Sequence, residues 1–194
     1  MRKFFGLLTA FVVLTGFVSL SALADSSADL MKSQSAGIYA LVGDQPVALT
    51  STNIEGVTMD MKSVGTNALK MGFGGVKGKS KVPGEKSAAR IANDAVIYFN
   101  GSSFDPESFV LAKLNSKKDG REIITGKVGM FGKTSFELDK NAKVDYTVTK
   151  VGDSLYELRF ASLLQTGEYG IYKRTAMPSE IFTFGVDGPA TADR

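Results

Sequence analysis

Beyond its N-terminal region the chain is a series of short apolar runs separated by turn residues. Gly37-Ile38-Tyr39-Ala40-Leu41 reads as a strand, Gly43-Asp44-Gln45-Pro46 as a turn, and Val47-Ala48-Leu49-Thr50 as the returning arm of a hairpin. Ala95-Val96-Ile97-Tyr98-Phe99 is a compact strand closed by the turn dipeptide Asn100-Gly101. Phe109 to Leu114 predicts another, turned by Lys117-Lys118-Asp119-Gly120 into Arg121 to Thr125. Val144, Tyr146 and Val148 alternate with Asp145, Thr147 and Thr149, and beyond Gly152-Asp153 the residues Tyr156, Leu158 and Phe160 alternate with Glu157 and Arg159. That matched period of two predicts a hairpin from Val144 to Phe160 with the apolar set largely buried. Glu168 to Lys173 and Ile181 to Val186 supply the last two strands.

No window repeats apolar residues at i, i+3, i+4 and i+7 over three turns, so long helices are not expected. Asp105-Pro106-Glu107-Ser108 predicts one helical turn, with Asp105 capping and Pro106 at the first position. Short strands between turns predict an all-β domain, an antiparallel β-sandwich, with a small β-barrel as the alternative. From Asn53 to Lys86 the pattern blurs. Met59 to Met71 contains strand-like pieces, Gly72 to Lys86 reads as a mobile Gly- and Lys-rich loop, and Ser87 to Ala92 as a strand with Ala89 and Ile91 inward. Most aromatic residues fall on inward positions. Tyr98 and Tyr172 fall on the opposite faces, which predicts them exposed and leaves Tyr172 as a candidate ligand-binding residue.

The N-terminus changes the picture. Met1-Arg2-Lys3 is cationic, Phe4 to Leu20 is almost wholly apolar, and Ala22-Leu23-Ala24 precedes polar Asp25-Ser26-Ser27. Charge, apolar run and A-x-A in that order predict a secretory signal peptide over residues 1–24. A flexible leader at 25–35, one domain at 36–187 and a flexible tail at 188–194 complete the expected organisation. Localisation follows as exported: periplasmic, cell-surface or secreted, with no transmembrane segment once the signal is cleaved.

Composition then narrows the chemistry. Of 23 Lys and Arg residues, Arg2 and Lys3 precede the cleavage site, leaving 21 basic against 20 acidic residues. That balance gives no nucleic-acid footprint. The chain has no Cys and no His. Disulfides, thiol nucleophiles, Ser-His-Asp triads and zinc held by thiolate or imidazole are therefore excluded, and any metal would need oxygen ligands. No cofactor is expected.

The remaining motifs carry less. Gly72 to Ser80 resembles a phosphate loop, but a P-loop needs Gly where Phe73 stands. Asn100-Gly101-Ser102 is a glycosylation sequon, read more simply as a turn. A carboxylate pair could hydrolyse without His, and Glu157, Glu168 and Asp187 are the acids on or beside late strands. Lys77, Lys79 and Lys81, with Lys86, form a local basic patch suited to anionic envelope lipid or polysaccharide.

Gly37-Ile38-Tyr39, Ala95 to Phe99, Phe109 to Leu114 with Arg121-Glu122, Gly167-Glu168-Tyr169 and Phe184-Gly185-Val186-Asp187 together resemble a pattern in exported bacterial β-rich proteins of uncharacterised function. The resemblance implies an extracytoplasmic β-domain and no active site. The expectation is an exported non-enzymatic module that binds a protein, glycan or lipid partner through Lys77, Lys79, Lys81 and Tyr172. The alternatives are a hydrolase using a carboxylate pair and a carrier of a small apolar ligand.

Overall fold

The computed structural model describes residues 27–59, 76–128, 134–136, 138–175 and 177–188. The expected signal peptide at 1–24, the expected strand pieces beyond Met59, residues 72–75 of the Gly-Lys segment and 189–194 of the expected tail lie outside these residues. The described chain is nearly all β. Its strands are β1 (Gly37–Val42), β2 (Gln45–Ala48), β3 (Ser51–Asn53), β4 (Glu55–Met59), β5 (Val76–Val82), β6 (Arg90–Ile91) and β7 (Val96–Asn100). After a 3-10 turn at Pro106–Ser108 come β8 (Phe109–Lys117), β9 (Gly120–Val128), β10 (Thr134–Phe136), β11 (Tyr146–Lys150), β12 (Leu155–Phe160), β13 (Gly167–Lys173) and β14 (Glu180–Val186). The turn forms as its sequence dictates: Asp105 caps it, accepting from the Glu107 N–H at 3.2 Å.

Two sheets result. The first runs β11-β12-β7-β1-β2, and the second runs β3-β14-β13-β8-β9-β5-β4 with β10 and β6 appended. Pairing is antiparallel except where β6 lies parallel to β14. In the second sheet, β3 ends one margin at Asn53 and β4 begins the other at Glu55. A single residue, Ile54, joins the two margins, so the sheet has to curl into a nearly closed barrel. Inside the curl lie Val82, Val110, Ala112, Leu114, Ile123, Tyr172 and Ile181. Gly170 makes the room: a Cβ there would collide with the Ile181 side chain.

The outer side of β8, β13 and β14 packs face to face on the first sheet. Ile38, Ala40, Ile97, Phe99 and Leu158 meet Phe109, Leu111, Tyr169, Ile171, Phe184 and Val186 in the main core. Phe99 and Phe109 tilt together at 5.4 Å, and Tyr169 stacks on Phe184 at 5.4 Å. The sandwich and barrel expectations thus describe two halves of one molecule.

Three expectations need correction. Residues 27–32, expected in a flexible leader, are helical, and Ala28 and Met31 bury against Tyr39, Tyr98 and Leu155. Their i, i+3 spacing puts both on one side of the helix, a short signal hidden in a polar stretch. The segment expected as a loop from Gly72 to Lys86 contains strand β5, in which Lys77, Lys79 and Lys81 alternate with buried Gly78, Ser80 and Val82. Tyr98 and Tyr172, expected to be exposed, are 1% and 0% exposed, because each lies on a strand covered on both faces.

The hairpin is present, with Tyr146 opposite Phe160 and Lys150 opposite Tyr156. Leu158 is buried, whereas Tyr146, Val148, Tyr156 and Phe160 are half-buried against the same core. For Tyr146 and Val148 the cause is position, since β11 ends its sheet. Leu158→Ala is expected to cost about 2 to 5 kcal/mol in urea unfolding, as cavity formation in a packed core does. A loss under about half a kcal/mol, the size of a surface substitution, would place Leu158 outside the core.

Candidate functional site

Among the described residues four places bring chemistry-bearing residues together, the smallest being buried Glu157, which accepts from the Tyr98 hydroxyl at 3.1 Å and pairs with Arg159. The first is a buried ionic network at one mouth of the barrel. Arg121, second in β9, points inward and is 2% exposed. Its Nε donates to the Gly84 carbonyl at 2.9 Å, and its Nη2 to that of Pro83 at 2.8 Å. Its Nη1 donates to Ser87 Oγ and, at 3.3 Å, to Glu168 Oε2. Glu168 also accepts from the Ser87 N–H at 2.7 Å and the Ser87 hydroxyl at 2.5 Å, and Arg90 Nη1 donates to its Oε1 at 2.5 Å. Arg90 bridges on to Asp187 at 2.5 and 3.1 Å. Gly185 admits the Arg90 guanidinium over β14, where any Cβ would strike it. The pairing with Arg90 lowers the Asp187 pKa below the ordinary carboxylate value and raises that of Arg90. Burial lowers the Arg121 pKa, against the pull of the Glu168 charge.

This network brings together two of the acids proposed for hydrolysis, Glu168 and Asp187, but with an arginine between them. Oε2 of Glu168 accepts from the Ser87 N–H, the Ser87 hydroxyl and Arg121, and Oε1 from Arg90, so the carboxylate is tied into the network on both oxygens. Ser87 is occupied likewise. Arg121 staples the connection between β5 and β6 to β13, a structural duty.

The second place is the outward face of β5. Lys77, Lys79 and Lys81 occupy alternate positions about 6.6 Å apart on one side of a strand. Lys81 is paired with Asp119 at 2.9 Å, which raises the lysine pKa and lowers that of the aspartate. Glu55 and Glu122 stand opposite Lys81 on the two neighbouring strands. The row is therefore ordered, and its Lys81 end is locally neutralised. Tyr172 does not join it. β13 and β5 are separated by β8 and β9, and Tyr172 points into the barrel while the lysines point out. Its hydroxyl has no hydrogen-bond partner among the described residues, and burial raises its pKa.

The third place was not anticipated. A groove of about 440 Å³ opens where β11, the last strand of the first sheet, overhangs β8 and the 3-10 turn. Pro106, Val110, Leu111, Val144, Tyr146 and Val148 give it an apolar lining. The exposed side chains of Glu107, Lys143, Asp145 and Arg174 complete it, Lys143 and Asp145 being paired at 2.5 Å. Tyr146 is held in place by donating its hydroxyl hydrogen to the Phe109 carbonyl at 2.9 Å.

Beside this groove β11 presents backbone that pairs with none of the described residues. The Ala161 N–H donates to the Asp145 carbonyl and the Val151 N–H to the Leu155 carbonyl, both at 2.9 Å. Asp145, Thr147, Thr149 and Val151 thus direct their backbone groups at β12. By the antiparallel alternation Tyr146, Val148 and Lys150 direct theirs to the open side. The alternation of β11 was legible in the sequence; that it ends a sheet was not.

Asn100, the acceptor position of the sequon, donates from Nδ2 to the carbonyls of Met31 and Gln34 at 2.9 Å each. It pins the N-terminal helical segment to the end of β7, and a glycan on that nitrogen would displace both bonds. Comparison with known proteins gave no matching family model and no matching curated protein.

Glu168→Gln distinguishes a structural network from a reactive one. The substitution removes the charge facing Arg121 and leaves a buried guanidinium uncompensated. A loss of about 3 to 5 kcal/mol in urea unfolding is expected. A variant as stable as the parent would show that Glu168 is not held for stability.

Proposed function

We propose that this chain is an exported, non-enzymatic binding module that holds a protein partner in the groove beside β11. The observation that carries the reading is the juxtaposition of an apolar, charge-rimmed groove with a strand edge whose N–H and C=O groups face outward. An extended segment added to β11 would gain main-chain hydrogen bonds from the edge and place alternate side chains over the groove. The engaged state of Glu168 and Asp187 argues against the carboxylate-pair hydrolase. The side chains filling the barrel interior argue against a carrier of apolar ligands.

Export enters through the N-terminal pattern of charge, apolar run and Ala22-Leu23-Ala24. The ordered row of Lys77, Lys79 and Lys81 gives the module a basic stripe, and an anionic envelope surface is the partner that stripe would favour. The neutralised Lys81 end makes it the weaker of the two binding surfaces.

The test is site-specific photo-crosslinking in producing cells. A photoreactive residue in place of Asp145, at the groove, is expected to give one discrete protein adduct. The same group in place of Asp44, in the β1–β2 turn at the far side of the sheet, is expected to give none. No adduct from the groove position, or equal adducts from both, would refute the groove reading.

A further inference from the structure

The two edges of the first sheet are not equivalent, and the difference points to what occupies β11. On β2, the Leu49 N–H donates to the Ile38 carbonyl at 2.8 Å. Leu49, Val47 and Gln45 therefore face β1, and the outward positions are Pro46 and Ala48. Pro46 has no N–H, so that edge is blunted. Pairing of β11 on the β2 of another molecule, which would propagate into an open filament, is thereby discouraged. Pairing of β11 with itself is not.

We infer that the occupant of the β11 edge is a second copy of this chain, its β11 lying antiparallel to the first about Val148, so that the two five-stranded sheets run on as one. The inference rests on the groove reading and names the partner. The register follows from which backbone groups are available. Centred on Val148, Tyr146 faces Lys150 of the second copy, Val148 faces its counterpart, and all three outward residues of each strand hydrogen-bond. Centred one residue earlier, Lys150 would have to pair with Val144, whose N–H already donates to the Leu111 carbonyl at 3.1 Å. Centred one residue later, Tyr146 would need Gly152, whose N–H already donates to the Leu155 carbonyl at 3.2 Å. Centred on Lys150 itself, two ammonium groups would stand directly opposite, an unfavourable pair. Only the Val148 register uses every outward group.

Side chains agree with that register. Thr147 would face Thr149 of the second copy on the outer surface, both β-branched and both exposed. On the inner face, Tyr146 and Val148 of each copy would extend the half-buried apolar seam of the other. The interface is isologous and closes on itself as a two-fold dimer.

The test uses the purified exported chain. Sedimentation velocity over a wide dilution range is expected to show a monomer–dimer equilibrium. Val148→Pro removes an N–H that points away from β12, so the internal ladder survives. The variant is expected to sediment as a monomer with unchanged far-UV circular dichroism. Because the chain has no cysteine, Val148→Cys provides a second readout independent of how proline is tolerated. The two introduced thiols would face each other on Cα atoms about 5.5 Å apart, within disulfide reach, so mild oxidation should link the dimer. Thr147→Cys should not link, since its counterpart would lie about 8 Å away by strand geometry. A parent chain that stays monomeric at every concentration, or Thr147→Cys linking as readily as Val148→Cys, overturns the proposal. An Asp145 photo-adduct with a different protein, on a monomeric chain, overturns the second copy and leaves the groove reading standing. Absence of any adduct removes both.

Discussion

Strands β8, β13 and β14 must be buried on both faces at once, and the rest of the molecule is arranged to meet that demand. Phe109, Leu111, Tyr169, Ile171, Phe184 and Val186 look toward the first sheet, while Val110, Ala112, Leu114, Tyr172 and Ile181 look into the barrel. Neither side can be given up, because each carries apolar surface that water would otherwise cover at about 25 cal/mol per Å². The curl of the second sheet, with Ile54 linking its two margins, covers the inner face; the five-stranded sheet covers the outer one. Polar groups trapped by this arrangement find one another. Ser80 Oγ and Thr125 Oγ1 bond at 2.7 Å between the neighbouring barrel strands β5 and β9, and Glu168 collects Ser87, Arg121 and Arg90 at the mouth.

That division of labour separates structure from interaction. The ionic network has the residue types of a catalytic centre, yet its donors and acceptors are engaged with each other and with the backbone of 83–87. Surfaces left for a partner are those that the double burial does not use: the outer face of β5 and the free side of β11. Between the two edges of the first sheet, Pro46 removes a donor from β2, while β11 keeps a full outward set at Tyr146, Val148 and Lys150. On the proposed reading, a sheet with one blunted and one open edge is extended on one side only.

Much of this was readable in the residues. The β1–β2 and β11–β12 hairpins, the strand from Val96 to Asn100 and the capped turn at Asp105 all follow from period-two alternation and turn chemistry, which act locally. What a single period of two cannot report is that both faces of a strand are covered. That is why Tyr98 and Tyr172 read as exposed, although the continuous apolar run Phe109-Val110-Leu111-Ala112 already carried the double-burial signature of a central strand. The lysines of β5 masked a strand for the opposite reason, since its inward positions Gly78 and Ser80 are too small and polar to register as core. Arg121 was missed although its spacing with Ile123 and Thr125 puts a charge on an inward face, which is the one local sign that a buried partner had to exist. The groove could not be read at all, because it depends on which strand ends the sheet, and strand order is a long-range property.

Native-state hydrogen exchange resolved to single amides tests the shared wall most directly. Amides of β8, β13 and β14 at Ala112, Tyr169, Gly170 and Phe184 should exchange only through global unfolding, with the same free energy and the same denaturant dependence. The outward amides of β11 should exchange through smaller openings. If the wall amides instead follow a partial unfolding of the barrel strands β5 and β9, or of the first sheet alone, then the two halves are separate cooperative units and the wall is not the element on which both depend.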